Sequence, residues 1–312
     1  MGPNVRVCGR LGGRVTDVIL VRSCTRDGRG GSPTAVVVEH ARPGSEDALD
    51  DVTRRALAGR APASHTAFIK VPDTGTEPIG VRFFTRLGEL SGCGHGTIAV
   101  HAYLASAGLA PVERSRLSIG GRTVEVTGTP VGDEIEAWVD HRGVTTAPAS
   151  TRLAADIRSA LTMTDDPAGR APAFGVDAVI ANPGAPRLLL AVVDRATLAT
   201  LRPDPAALAT ACRRHGLLGC FVHVTERRPS GYVGAARMFA PAIGIDEDVA
   251  NANSTAGLAV ALAAATRSVC RLVLDQGDAL GAPSTVRAEA VPPSDEASGT
   301  VRTGGRAHVG SR

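Results

Sequence analysis

Cys93-Gly94-His95-Gly96-Thr97 sets a thiol and an imidazole between glycines, directly ahead of an apolar run at 98–104. A second polar cluster, Asp248 with Asn253 and Ser254, stands ahead of another apolar run at 257–262. A segment entering a helix N-terminus presents unpaired N–H groups and a partial positive charge, so each cluster is placed to receive a carboxylate. Gly94 and Gly96, with Cys93 and Thr97 beside them, permit close backbone approach at the first, while Asn253 and Ser254 supply donors at the second. Donors that hold a carboxylate also stabilise the charge that develops when a neighbouring carbon loses a proton. The proton itself needs a base matched to neutral pH, and an ordinary imidazole titrates near 6.5, so His65 is a candidate shuttle. His95 and Asp248 are then placed to orient and polarise the substrate. Plainer roles stand beside these: His65 as a loop residue, Asp248 as a first-turn acid complementing the helix dipole, Cys93 as a buried structural thiol.

What must position these groups is a duplicated unit. Arg82-Phe-Phe-Thr, Glu89 and the Cys93 cluster return as Arg237-Met-Phe-Ala, Glu247-Asp248 and the Asn253 cluster, about half of the 312-residue chain later. A two-fold repeat predicts a duplicated fold with ligand bound between the halves. Helices are expected at about 97–109 and 255–266, apolar nearly all round and therefore enclosed. β-branched strands are expected at 18–21 and 35–38, and further strands near 66–70 and 79–85. Alternation at 116–127 and 134–140 predicts antiparallel hairpins. Ser45 is expected to cap a helix ending at Gly59, another helix lies near 151–161, and a loop runs through 167–173. Asp204 as N-cap, Pro205 at the first position and Gly216 past the end define a further helix. Strands complete the second half at 177–181, 187–193, 220–224, 235–240 and 271–274. The expected class is α+β, with halves at 1–140 and 141–290 and a disordered Pro/Ser/Gly-rich tail at 291–312.

Composition narrows the chemistry. The formal charge is +3 with scattered arginines, which gives nucleic-acid binding little support. Lys70 is the only lysine and lies in no phosphate-loop or Schiff-base motif. The first residues carry arginines in every short apolar run, so no leader is expected, and no apolar run is long enough to span a membrane. Six cysteines without paired spacing predict thiols in a reducing cytoplasm. The histidines show no ligand spacing in the sequence, so no metal site is expected.

Five motifs in order resemble the PhzF-like phenazine-biosynthesis isomerases, within the wider diaminopimelate-epimerase-like fold. Gly30-Gly-Ser-Pro-Thr-Ala-Val-Val, Ser64-His-Thr-Ala-Phe, and Arg82-Phe-Phe-Thr with Cys93-Gly-His-Gly-Thr are the first three. Arg237-Met-Phe-Ala-Pro through Glu247-Asp248, and Gln276-Gly with Gly281-Ala-Pro-Ser, are the others. The resemblance implies two barrel-like halves, each a mostly antiparallel sheet around a central helix, and often a homodimer. It also implies a cofactor-independent proton shift in a small unsaturated carboxylic acid. His95 matches the family histidine and Asp248 its aspartate, but the family's glutamate is His65 here, and Asn251-Ala-Asn-Ser replaces its Thr-Gly-Ser-Ala segment. That departure points to a specialised substrate, such as a pyrroline or alkylproline precursor in antibiotic biosynthesis. Proline racemases share the fold and use one cysteine from each half; Cys93 resembles the first, whereas the opposite position is read as Asn253 or Ser254. A silent small-acid-binding protein is the remaining alternative.

Overall fold

In the computed structural model the described residues are 7–11, 14–39, 49–72, 77–163, 177–293 and 299–309. The chain divides into two compact units, Met1–Asp140 with Gly304–Arg312, and His141–Thr303.

The first unit runs β1 (Val7–Leu11), β2 (Arg14–Thr25), β3 (Ser32–Val38), α1 (Asp51–Arg60), β4 (His65–Lys70), β5 (Ile79–Phe84), β6 (Glu89–Leu90), α2 (Gly94–Ser106), β7 (Arg114–Ile119), β8 (Arg122–Val131) and β9 (Glu134–His141). Helix α1 is the crossover between the parallel strands β3 and β4. Strand β5 pairs antiparallel with β4 and β6 and parallel with β7, which forms a hairpin with β8. Helix α2 packs on β2, β3, β4 and β8, and Ile98, Ala99, Val100, Ala102 and Leu104 are fully enclosed. An apolar helix without a polar face has no other stable place; each large side chain buried this way contributes about 1.5–3 kcal/mol.

The second unit runs β10 (Thr145–Pro148), α3 (Thr151–Ala160), β11 (Ala178–Asn182), β12 (Arg187–Ala191), α4 (Arg195–Thr200), α5 (Pro205–Arg214), β13 (Cys220–Arg228), β14 (Gly231–Ala240), β15 (Ile245–Asp248), α6 (Ala252–Thr266), β16 (Cys270–Gln276), β17 (Ser284–Val291) and the start of β18 (Thr300–Val309), whose residues from Gly304 onward belong to the first unit. It repeats the first unit's plan: β12 parallel to β13, β14 antiparallel to β13 and β15 and parallel to β16, then the β16–β17 hairpin. Helix α6 is enclosed as α2 is, with Ala256, Leu258, Ala259 and Leu262 buried in one core with Leu189, Phe221, Met238 and Leu274. The architecture is α+β, as expected, but with two parallel pairs among the described residues of each unit.

Several expectations are corrected. Both central helices start three residues early, at Gly94 and Ala252, because glycine and asparagine read as loop in sequence are absorbed into the first turn. The cap of α1 is Asp50, whose carboxylate accepts from Thr53 N–H at 2.7 Å; Ser45 and the loop at 167–173 lie outside the described residues. The tail read as disordered contains β18, with Val301, Thr303 and Ala307 buried, and residues 306–309 pair with β2. Its alternating apolar and small residues outweigh the Pro/Ser-rich segment before it. No helix among the described residues is long and apolar enough to cross a membrane.

Candidate active site

In the first unit, Cys93 is the extended N-cap of α2, and His95 sits in the helix's first turn. His65 opens β4, and all three side chains are buried. The His65 and His95 rings meet edge to face with centroids 4.9 Å apart. Cys93 Sγ lies 3.5 Å from His95 Nε2 and 3.8 Å from Nδ1. Ser64 Oγ is 2.7 Å from His65 Nδ1, so a hydroxyl fixes the ring and directs Nε2 to the opposite side. Gly96 makes this grouping possible: a Cβ there would meet Phe83 at 2.8 Å and the Cys93 sulfur at 2.9 Å. Gly94, His95 and Gly96 supply the backbone N–H groups of the first turn. Thr97 has a narrower part, since both its N–H and its hydroxyl donate to the Cys93 carbonyl at 2.8 Å and shape the turn itself.

In the second unit, the N-terminus of α6 is a hydrogen-bonded network. Asn251 is the N-cap; its side-chain oxygen accepts from Ser254 N–H at 2.9 Å, and its amide donates to Asp248 Oδ2 at 3.0 Å. Gln276 accepts from Asn251 N–H at 2.8 Å and donates to Thr255 Oγ1 at 3.1 Å. The glycine after it is forced: Gly277 has φ +77°, and a Cβ there would meet Ala282 O at 2.2 Å. Arg187, the first residue of β12, extends its buried guanidinium beside this network, 3.3 Å from Ser254 Oγ and 3.4 Å from Asn251 Oδ1. Burial lowers Arg187 to about 10, and the charge of Asp248 only partly offsets that. Burial and then Arg187 together lower His141 to about 4. The guanidinium adds a full positive charge beside the partial positive charge of the α6 N-terminus. Asn253, in the same first turn, is part-buried.

The profile of the family described as "Phenazine biosynthesis-like protein" matches residues 21–311. The chain belongs to that family. A relative from Deinococcus radiodurans described as an uncharacterized isomerase is 28% identical over 247 residues, 75% of this chain and 78% of that one. The solved Bacillus anthracis phenazine biosynthesis protein of the PhzF family aligns with a TM-score of 0.74 at 15% identity, over 94% of this chain and 96% of that one. A probable proline racemase from Agrobacterium radiobacter, solved with bound carbonate, aligns at TM-score 0.63 and 12% identity, over 96% and 92% of the two chains. These likenesses establish the fold as that of the PhzF family and the proline racemases.

Within this family member, strand register shows which residues are counterparts. Leu90 pairs with Phe83 and Asp248 with Met238, so Asp248 takes the place of Leu90 and Asn251 that of Cys93. Asn253 and Ser254, expected opposite the cysteine, answer instead to His95 and Gly96. Thr66 and Cys220 are likewise counterparts, opposite Phe84 and Phe239, so Gly219 answers to His65 and Arg187 to Thr34. A Cβ at Gly219 would meet Phe239 O at 2.3 Å, so the second unit has no room for a His65 equivalent. Sequence reasoning missed Arg187 and Gln276. The signal for Arg187 was a charge directly before the apolar Leu188-Leu189-Leu190 of a central strand. Expecting no metal from linear spacing also overlooked that donor atoms of His65, Cys93 and His95 lie within 4.8 Å of one another.

Proposed function

We propose that this chain is a cofactor-independent isomerase that moves a proton, and with it a double bond, in a small unsaturated amino or carboxylic acid. The observation that carries this is the buried pairing of His65 with His95 at the glycine-flanked start of α2. His65 takes the proton from an sp3 carbon next to the unsaturation. The C–H electrons pass into the conjugated system, the former double bond shifts, and the proton returns to the carbon at its far end. Charge collects meanwhile on the carboxylate, which N–H donors of a helix first turn stabilise by a few kcal/mol each. Cys93, Gly94, Gly96 and Thr97 shape one such turn. Asn253, Ser254 and Arg187 shape the other, with Asp248 orienting through Asn251. A cyclic pyrroline-type acid from antibiotic biosynthesis is the substrate class we place first, because the family glutamate has given way to an imidazole.

The test is proton NMR in D₂O with a panel of cyclic and conjugated unsaturated acids, comparing wild type with His65→Gln and Arg187→Met. Double-bond migration with deuterium uptake is expected, falling about 10²–10⁴-fold in His65→Gln. Arg187→Met is expected to raise KM. Full turnover by His65→Gln would remove the base assignment, and no migration across the panel would overturn the reaction. A second reading, epimerisation of a proline-like acid, is favoured by the Cys93 thiol beside His95 and opposed by Asn251 as its counterpart. Exchange at the α carbon of proline, lost in Cys93→Ala, would move the chain to that reading.

A further inference from the structure

We infer that His65, Cys93 and His95 form a binding site for a thiophilic divalent cation, Zn²⁺ in the first instance. One donor atom from each lies within 4.8 Å of the others, and all three side chains are buried in the same unit. Two imidazoles and a thiolate are a zinc donor set, and three protein ligands leave the fourth position of a tetrahedron for water or a ligand carboxylate. Zn–N of about 2.1 Å and Zn–S of about 2.3 Å at a tetrahedral angle separate nitrogen from sulfur by about 3.6 Å. Cys93 Sγ lies 3.5 Å from His95 Nε2 and 3.8 Å from its Nδ1, so the sulfur faces the ring between its two nitrogens, and coordination requires the imidazole to turn until one nitrogen points at the shared ion.

The outer partners are in place as well. With Nδ1 of His65 at Ser64 Oγ, coordination runs through Nε2, and the serine fixes the ring as an outer hydrogen-bond partner of a metal-bound histidine does. Cys93 is the N-cap of α2, and its side chain makes no cap hydrogen bond. Gly96 keeps the sulfur's side of the helix open. The other free cysteines with described side chains, Cys24, Cys212, Cys220 and Cys270, are buried as well. Burial pushes Cys212 up to about 11 and Cys270 up to about 12, and raises Cys220 too, which keeps those thiols protonated and inert. None of them belongs to a three-donor group among the described residues.

The site shares its residues with the proposed base but does not rest on that function, because binding is read without substrate. The two uses exclude each other: a coordinated imidazole has no lone pair for a proton. Metal-stripped protein would be titrated with Co²⁺ and followed by optical absorption, then back-titrated with Zn²⁺. One Co²⁺ per chain is expected, with the strong visible bands of four-coordinate cobalt and a near-ultraviolet thiolate-to-cobalt band, all displaced by Zn²⁺. Cys93→Ser should lose the thiolate band, and Ser64→Ala should weaken binding by about 10-fold or more. In unmutated protein, Zn²⁺ should protect Cys93 from alkylation, mapped by mass spectrometry, a result independent of whether any variant folds. The weak spectrum of six-coordinate cobalt, a thiolate band that survives Cys93→Ser, or Cys93 alkylated equally with and without Zn²⁺ would each overturn the site. Isomerase activity with no cobalt binding would sink this inference and leave the proposed reaction standing.

Discussion

The first turns of α2 and α6 occupy the same place in two copies of one plan, yet they hold opposite kinds of chemistry. At α2 the N-cap is a cysteine whose side chain makes no cap hydrogen bond, and the neighbours are two imidazoles and a glycine. At α6 the N-cap is an asparagine locked between Ser254, Asp248 and Gln276, with the Arg187 cation beside it. The first turn gathers a thiol and two imidazoles, side-chain types that can transfer a proton or ligate a metal. The second gathers an arginine, a carboxylate and amide side chains joined by hydrogen bonds. A duplicated fold needs only one reactive copy, and the other is then able to spend its polar residues on rigidity.

The same contrast recurs in the Arg-x-Phe motif that opens each repeat, and it gives the largest predicted effect. Arg237 clamps Glu247 through two hydrogen bonds of 2.9 and 2.8 Å, donates to two backbone carbonyls and stacks over Phe239. Its side chain and that of Glu247 are only 10% and 12% exposed, whereas Arg82 and Glu89 are 39% and 40% exposed. Arg237→Met leaves a carboxylate buried without its cation and should cost about 3–5 kcal/mol. Arg82→Met removes two exposed, screened pairs, with Glu89 and with Asp51, and should cost about 1 kcal/mol. Urea denaturation of both variants decides this; equal losses would erase the distinction between the copies.

The motif itself was plain in the sequence, as were the repeat, both enclosed helices and the Asp204 cap, because each depends on local spacing or on a residue type that physics ties to one position. What was hidden depends on register. Asn251 becomes the counterpart of Cys93 only once Asp248 and Leu90 are seen opposite Met238 and Phe83. The His65–Cys93–His95 cluster joins a strand start to a helix cap 28 positions apart, which linear ligand spacing does not reveal. Arg187 looked like one arginine among many until its strand placed it beside α6. The last strand, β18, was masked by the polar composition of the residues ahead of it.

Buried histidines carry the contrast into acid stability. In the first unit His101 has both ring nitrogens occupied, by Ser115 Oγ at 2.8 Å and by the Val112 carbonyl at 2.9 Å. In the second, His223 is buried with neither nitrogen hydrogen-bonded among the described residues, and burial lowers it from 6.5 to about 4. A depressed imidazole binds fewer protons folded than unfolded, so stability is complete above 6.5 and declines as pH falls toward 4. At about 1.4 kcal/mol per unit the loss from His223 reaches about 3 kcal/mol near the lower limit. His223→Leu should flatten the acid limb of a stability–pH profile by that amount. An unchanged limb would mean that His223 finds a partner in solution.

The smallest effect bears most directly on why α2 lacks a cap. Asn251→Ala removes the bond to Ser254 N–H and one hydrogen bond to Asp248, and should destabilise by about 1 kcal/mol. Cys93→Ser is close to isosteric and places a hydroxyl where a good N-cap acceptor belongs. It should therefore leave stability unchanged or raise it by up to about 1 kcal/mol. If chemical denaturation gives that result while proton transfer or metal binding is altered, the thiol is held at a position where serine would serve the fold better, and its retention reflects chemistry. If Cys93→Ser instead costs as much as Asn251→Ala, the sulfur is a packing element, and the two helix starts differ less than their residues suggest.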